Sequence, residues 1–189
     1  MADRERHIAY EDRPARPKRI PPPVDGAQLL RLAQDYVGRF WGPAASLRRV
    51  LLRHAQRSVR DHGSDAGQLQ REMEGIIAMM VEAGAVNDRR FAELRAATLA
   101  ERGVSQRMVA QRLRQRGIAG EDVDHAIAEL KGGGGDLAAA RNLVQRRKLG
   151  HLRPPEERKL SRDKDLAVLL RGGFGFDTAK KALAGPQED

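Results

Sequence analysis

The chain has 189 residues, 40% of them hydrophobic and 32% charged, with a net charge of +9, a pI ≈ 10.6 and no cysteine. The length suits one domain or a row of small units. The missing cysteine excludes disulfides and thiolate metal sites and fits a reducing, cytoplasmic setting. No apolar run is long enough to span a bilayer, so no membrane partner is expected. The positive charge favours a polyanion or an acidic protein surface. Aromatic residues make up only 4%, so burial falls to small aliphatic and alanine faces, which suits thin stacked helices.

Residues 1–24 mix charges with Pro14, Pro17 and Pro21-Pro22-Pro23. This composition predicts a disordered basic tail, without the apolar stretch of a secretion signal. From about Gly26 to Phe40, Leu29, Leu32, Ala33, Tyr36, Val37 and Phe40 form an apolar stripe of helical period. Trp41-Gly42-Pro43 breaks it, and Pro43 suits the first turn of a second helix with Leu47, Val50, Leu51 and Ala55 inward. After the turn His62-Gly63-Ser64-Asp65, a third helix aligns Leu69, Met73, Ile76, Ile77 and Met80. These helices make a first unit over 25–86.

The central unit, 87–131, reads as three short helices. Asn87 or Asp88 caps the first and Gly103 stops it; Ser105 caps the second and Gly117 stops it. The third aligns Val123, Ala126, Ile127 and Leu130 on one face. Gly132 to Gly135 reads as a flexible linker. The third unit, 136–185, has Asp136 as the cap of its first helix, a loop from Gly150 to Glu157, a second helix opening at Ser161 and a last one at Asp177-Thr178. Leu113, Gly117-Ile118, Val123 and Ala126-Ile127 recur as Leu169, Gly173-Phe174, Ala179 and Ala182-Leu183, and Asp88 and Ala92 recur as Asp136 and Ala140. The pattern predicts an all-α chain of tandem three-helix repeats, about nine helices in an elongated arrangement.

Asn87-Asp88-Arg89-Arg90-Phe91-Ala92 and Arg112-Leu113-Arg114-Gln115-Arg116-Gly117-Ile118 resemble the central repeat of the RecX family of recombination regulators. Leu47-Arg48-Arg49-Val50-Leu51-Leu52-Arg53 upstream and Leu170-Arg171-Gly172-Gly173-Phe174 downstream fit the same family, so the resemblance spans Ala27 to Leu183. It implies a helical protein that binds the RecA recombinase filament and restrains it, in DNA repair and the SOS response.

The residues offer little to an enzyme. The histidines are scattered, the glycine run is not followed by Lys-Ser or Lys-Thr, and no Gly-x-Ser-x-Gly elbow is present. Glu121, Asp122 and Asp124 fall in a first helical turn, where acids meet the positive end of the dipole. No catalytic residue, cofactor or metal is expected. The candidate site is a basic surface of Arg89, Arg90, Arg95, Arg107, Arg112, Arg114 and Arg116, supported by Arg48, Arg49 and Arg53. Arginine suits phosphate or carboxylate because its planar fork makes paired hydrogen bonds; the plain alternative is a set of solvated side chains. Two functions remain open. One is a monomeric regulator of a recombinase filament with weak nonspecific DNA contact, and the other is a direct DNA-binding helix-turn-helix protein.

Overall fold

The computed structural model describes residues 20–185. The predicted tail falls outside these up to residue 19, including Arg13, Arg16, Lys18 and Arg19. Its last residues are not free: the Val24 amide donates to Ser58 Oγ at 2.9 Å, and His62 Nε2 donates to the Pro21 carbonyl at 2.7 Å.

Among the described residues the chain is all helical, with nine α-helices, one 3-10 turn and no strand. The first unit holds α1 (Gly26–Arg39), α2 (Ala44–His62) and α3 (Ala66–Glu82). The second holds α4 (Asp88–Glu101), α5 (Gln106–Gln115) and α6 (Gly120–Gly132). The third holds α7 (Gly135–Arg147), a 3-10 turn at Gly150–Leu152, α8 (Pro155–Arg171) and α9 (Phe176–Ala184).

Each unit has a core of its own. Leu29, Leu47, Leu51, Met73 and Ile77 close the first; Phe91, Leu99, Val109, Leu113 and Val123 the second; Val144, Leu149, Leu169, Phe174 and Ala179 the third. Fully burying one such side chain stabilises by about 1.5–3 kcal/mol, so a core this small needs its neighbours. The second core reaches the third through α4 and α7, where Ala100 packs on the third cluster. Trp41 meets Phe91 with ring centroids 5.1 Å apart between the first and second units.

Several helices end in one way. The amides of Val104, Ile118, Leu149 and Phe174 donate to the carbonyls of Leu99, Leu113, Val144 and Leu169. That closure needs a left-handed residue just before, followed by an apolar one that folds back on the core. It explains why Gly117-Ile118 and Gly173-Phe174 repeat in the sequence.

The repeated glycines also form the joints between units. Gly117 has φ +84°, and a Cβ on it would lie 2.5 Å from Ala45 Cβ at the start of α2. Gly173 has φ +87°, and a Cβ there would lie 2.6 Å from Ser105 Oγ at the start of α5. The end of one unit's second helix thus presses on the start of the second helix in the unit before. The repeated aspartates serve the same joints. Asp88 accepts the Ala44 amide at 2.8 Å, and Asp136 accepts the Gln106 amide at 2.7 Å.

Several sequence expectations are corrected. Asn87, not Asp88, caps α4, by accepting the Arg90 amide at 2.8 Å. Asp136 does not cap α7, whose N-cap is Gly134; it is spent on α5. The glycine run is shorter as a linker than expected, because α6 takes Gly132 and α7 takes Gly135. The second helix of the last unit starts at Pro155, not Ser161, since a proline at the first helical position gives up no bond the helix could make. The last helix starts at Phe176, with Gly175 as its N-cap.

Candidate anion-binding groove

The predicted arginines separate into spent and unspent groups. Arg48 makes a paired bond to Glu74, at 2.9 and 2.6 Å, and this pair holds α2 to α3. Arg89 donates to Asp122 at 3.1 Å and Arg114 lies 3.6 Å from Asp124, so both tie their helices to α6. The acids that open α6 therefore do more than complement its dipole: Asp122 and Asp124 also neutralise two of the expected site arginines. Arg49 and Arg53 lie exposed on α2, and neither lines the cavities described below. Arg90 borders a hollow with Trp41 and Leu94. Arg107 is exposed on the first turn of α5, beside the Gly173 joint.

Three of the predicted residues converge. Arg95 on α4 and Arg112 and Arg116 on α5 line a cavity of about 320 Å³ with Leu99, Leu113 and Gln115. A second cavity, about 350 Å³, adjoins it through Arg112 and adds Arg102, Arg147 and Arg171. No carboxylate lines either one. The groove runs from the central unit onto the third, with Gly103, Val104, Met108, Leu143, Val168 and Gly172 completing its wall. None of its six arginines is in an ion pair among the described residues.

The electrostatics record this crowding. Burial, and then the Arg116, Arg102 and Arg112 guanidiniums, push the Arg95 pKa below its ordinary value. Like charges held this close without a counter-ion favour an anion in the space between them. Four of the groove arginines, Arg102, Arg116, Arg147 and Arg171, stand at helix ends, where a cation meets the negative end of the dipole.

Arg102, Arg147 and Arg171 are the groove arginines outside the candidate set read from the sequence. A local signal marks two of them: Arg102-Gly103, like Arg116-Gly117, places arginine just before a left-handed glycine, and Arg171 precedes the pair Gly172-Gly173 that ends α8. Among the described residues no cluster of His, Asp and Glu is arranged to hold a metal ion, and no helix is long and apolar enough to cross a membrane.

The fold is that of a helical-repeat protein, with an arginine-lined groove that runs from the central unit onto the third. The family described as RecX, second three-helix domain, matches residues 87–127, which is α4, α5 and the first part of α6. The chain is 34% identical over 171 residues to the Regulatory protein RecX of Myxococcus xanthus (strain DK1622), covering 90% of this chain and 89% of that one. It is 29% identical over 135 residues to the Regulatory protein RecX of Agrobacterium fabrum, covering 70% and 71%. The solved structure titled "Crystal structure of regulatory protein RecX" shares the fold at a TM-score of 0.58 and 17% identity, over 83% of this chain and 70% of that one. The chain belongs to the RecX family.

Proposed function

We propose that this protein binds the RecA recombinase filament on single-stranded DNA and inhibits or modulates its recombinase, ATPase and co-protease activities in DNA repair and the SOS response. It acts in the cytoplasm as a monomer, by binding alone, with no cofactor. One observation carries the reading: a groove of six unpaired arginines, free of acid, in a chain whose family relatives are regulatory proteins. A nucleoprotein filament offers phosphates and acidic side chains to such a groove. Attraction of that kind is long-ranged, screened by salt, and allows weak nonspecific DNA contact.

The helix-turn-helix reading would make α6 the recognition helix. That helix carries Glu121, Asp122, Asp124 and Glu129, and a phosphate-lined groove would repel them. Asp122 and Asp124 are better explained by their arginine partners within the unit. The deciding experiment adds the purified protein to recombinase preassembled on single-stranded DNA and follows ATP hydrolysis. Inhibition at substoichiometric protein supports the regulator. Unchanged hydrolysis with tight binding to duplex DNA alone would transfer the function to the helix-turn-helix reading.

A further inference from the structure

The third unit carries a second concave surface, turned away from the arginine groove. It is a cavity of about 810 Å³ between α8, α9 and the 3-10 turn. Arg162 lines it and Arg171 lines the groove. Those residues are nine apart, about two and a half helical turns, so they leave α8 on opposite sides.

The floor of the cavity is apolar, made by Leu166, Leu183, Ala184 and the side of Phe176. Phe176 is 53% exposed, and the ammonium of Lys180 sits 5.1 Å from its ring centroid. The rim is basic: Arg158, Arg162, Lys180 and Lys181 surround it, with Asp163 among them. Asp165 also borders the cavity, but Arg153 and the Gly150 amide already occupy its two oxygens. Arg158 is steadied by its own bond from Nε to the Arg153 carbonyl at 2.9 Å. None of the four rim cations is in an ion pair among the described residues.

We propose that this cavity is a docking site for an acidic peptide segment of a partner protein, one that carries apolar residues among its carboxylates. Carboxylates meet the rim cations, and apolar side chains cover Phe176 and Leu183. The volume falls in the range of about 300–1,000 Å³ typical of ligand sites, enough for a few side chains and too small for a folded domain. The apolar floor gives nothing to a phosphate. Lys180 lies over one face of the Phe176 ring, and the exposed remainder of the ring takes an apolar side chain beside that charge. Charge and floor together therefore select an acidic, partly apolar peptide.

The test uses the full chain without recombinase, and follows fluorescence anisotropy of a short labelled peptide of glutamate and leucine. The expected result is saturable binding. It weakens about tenfold or more in K180E/K181E, weakens also in Phe176→Ala, and is unchanged in R112E/R116E. A polyglutamate peptide of equal charge binds more weakly than the mixed one. Circular dichroism is expected to stay unchanged, because both lysines and Phe176 are exposed. The proposal is overturned if binding survives K180E/K181E, if R112E/R116E abolishes it, or if polyglutamate binds equally. It is also overturned if K180E/K181E removes binding of a single-stranded oligonucleotide, or self-association of the chain, while leaving the peptide bound.

Discussion

Asp136, in the first turn of α7, accepts the backbone amide of Gln106, in the first turn of α5, at 2.7 Å. Asp88 in α4 does the same for Ala44 in α2 at 2.8 Å. Each unit thus caps the second helix of the unit before it. The α2 start depends on this fully, because its own N-cap is Pro43 and offers no side-chain bond. Replacing Asp88 by Ala is expected to cost about 1 kcal/mol, the usual worth of an N-cap. Asp136→Ala is expected to cost less, since Ser105 still accepts the Met108 amide. Chemical denaturation of both variants checks the order, and equal losses would refute it.

The joint glycines allow a comparison. Gly63, Gly117 and Gly173 all have positive φ, but a Cβ on Gly63 meets open space while one on Gly173 meets Ser105 and Met108. Gly63→Ala is expected to cost only the left-handed conformation, about 1 kcal/mol. Gly173→Ala is expected to cost more, about 2–3 kcal/mol, because the joint must also open. Thermal unfolding measures the difference; if the two alanines lowered the melting temperature alike, the joint would not be held by packing against Gly173.

Asp165 predicts acid sensitivity of the third unit. Burial alone would raise its pKa, but the Arg153 guanidinium and the Gly150 amide outweigh burial and hold it below the usual carboxylate value. A depressed folded pKa means that the stabilising contribution is complete above the unfolded carboxylate value, about 3.9. It disappears as pH falls through the lower folded value. Asp165→Asn is therefore expected to be less stable at neutral pH, by about 2 kcal/mol, and to lose less on acidification. Urea midpoints across the acid range test this, and parallel losses in parent and variant would count against it.

The groove predicts which arginines matter for the recombinase. Arg112→Glu with Arg116→Glu is expected to weaken inhibition of ATP hydrolysis by roughly tenfold or more. The same pair is expected to flatten the salt dependence, by about 0.7 in the log-log slope for each single-strand phosphate that the groove no longer neutralises. Glutamate is about as good a helix former as arginine, so α5 is expected to persist. Arg114→Glu, which faces Asp124, is expected to change inhibition much less. A reversal of that ranking would place the anion surface outside the groove.

Much of this protein is written locally in the chain. The apolar stripes of α1 and α3, the caps Asn87 and Ser105 and the glycine stops follow from helix periodicity and backbone sterics, which act over a few residues. The repeat is also legible, because Gly117-Ile118 and Gly173-Phe174 answer one local demand twice. What those repeated residues touch was decided only in three dimensions. Asp136 reads as the cap of its own helix, yet it reaches an amide 30 residues back, and no short-range rule contains that distance. The arginines show the same division. Their number and helical placement are local facts, and the sequence could only count them as one surface. Whether an arginine is spent depends on a carboxylate brought close by packing: Glu74 lies 26 residues from Arg48 and Asp122 lies 33 from Arg89. Charge acts through space and not along the chain. Only the packing of helices could therefore leave Arg95, Arg112 and Arg116 unpaired, and only the stacking of the third unit on the central one sets Arg171 beside them.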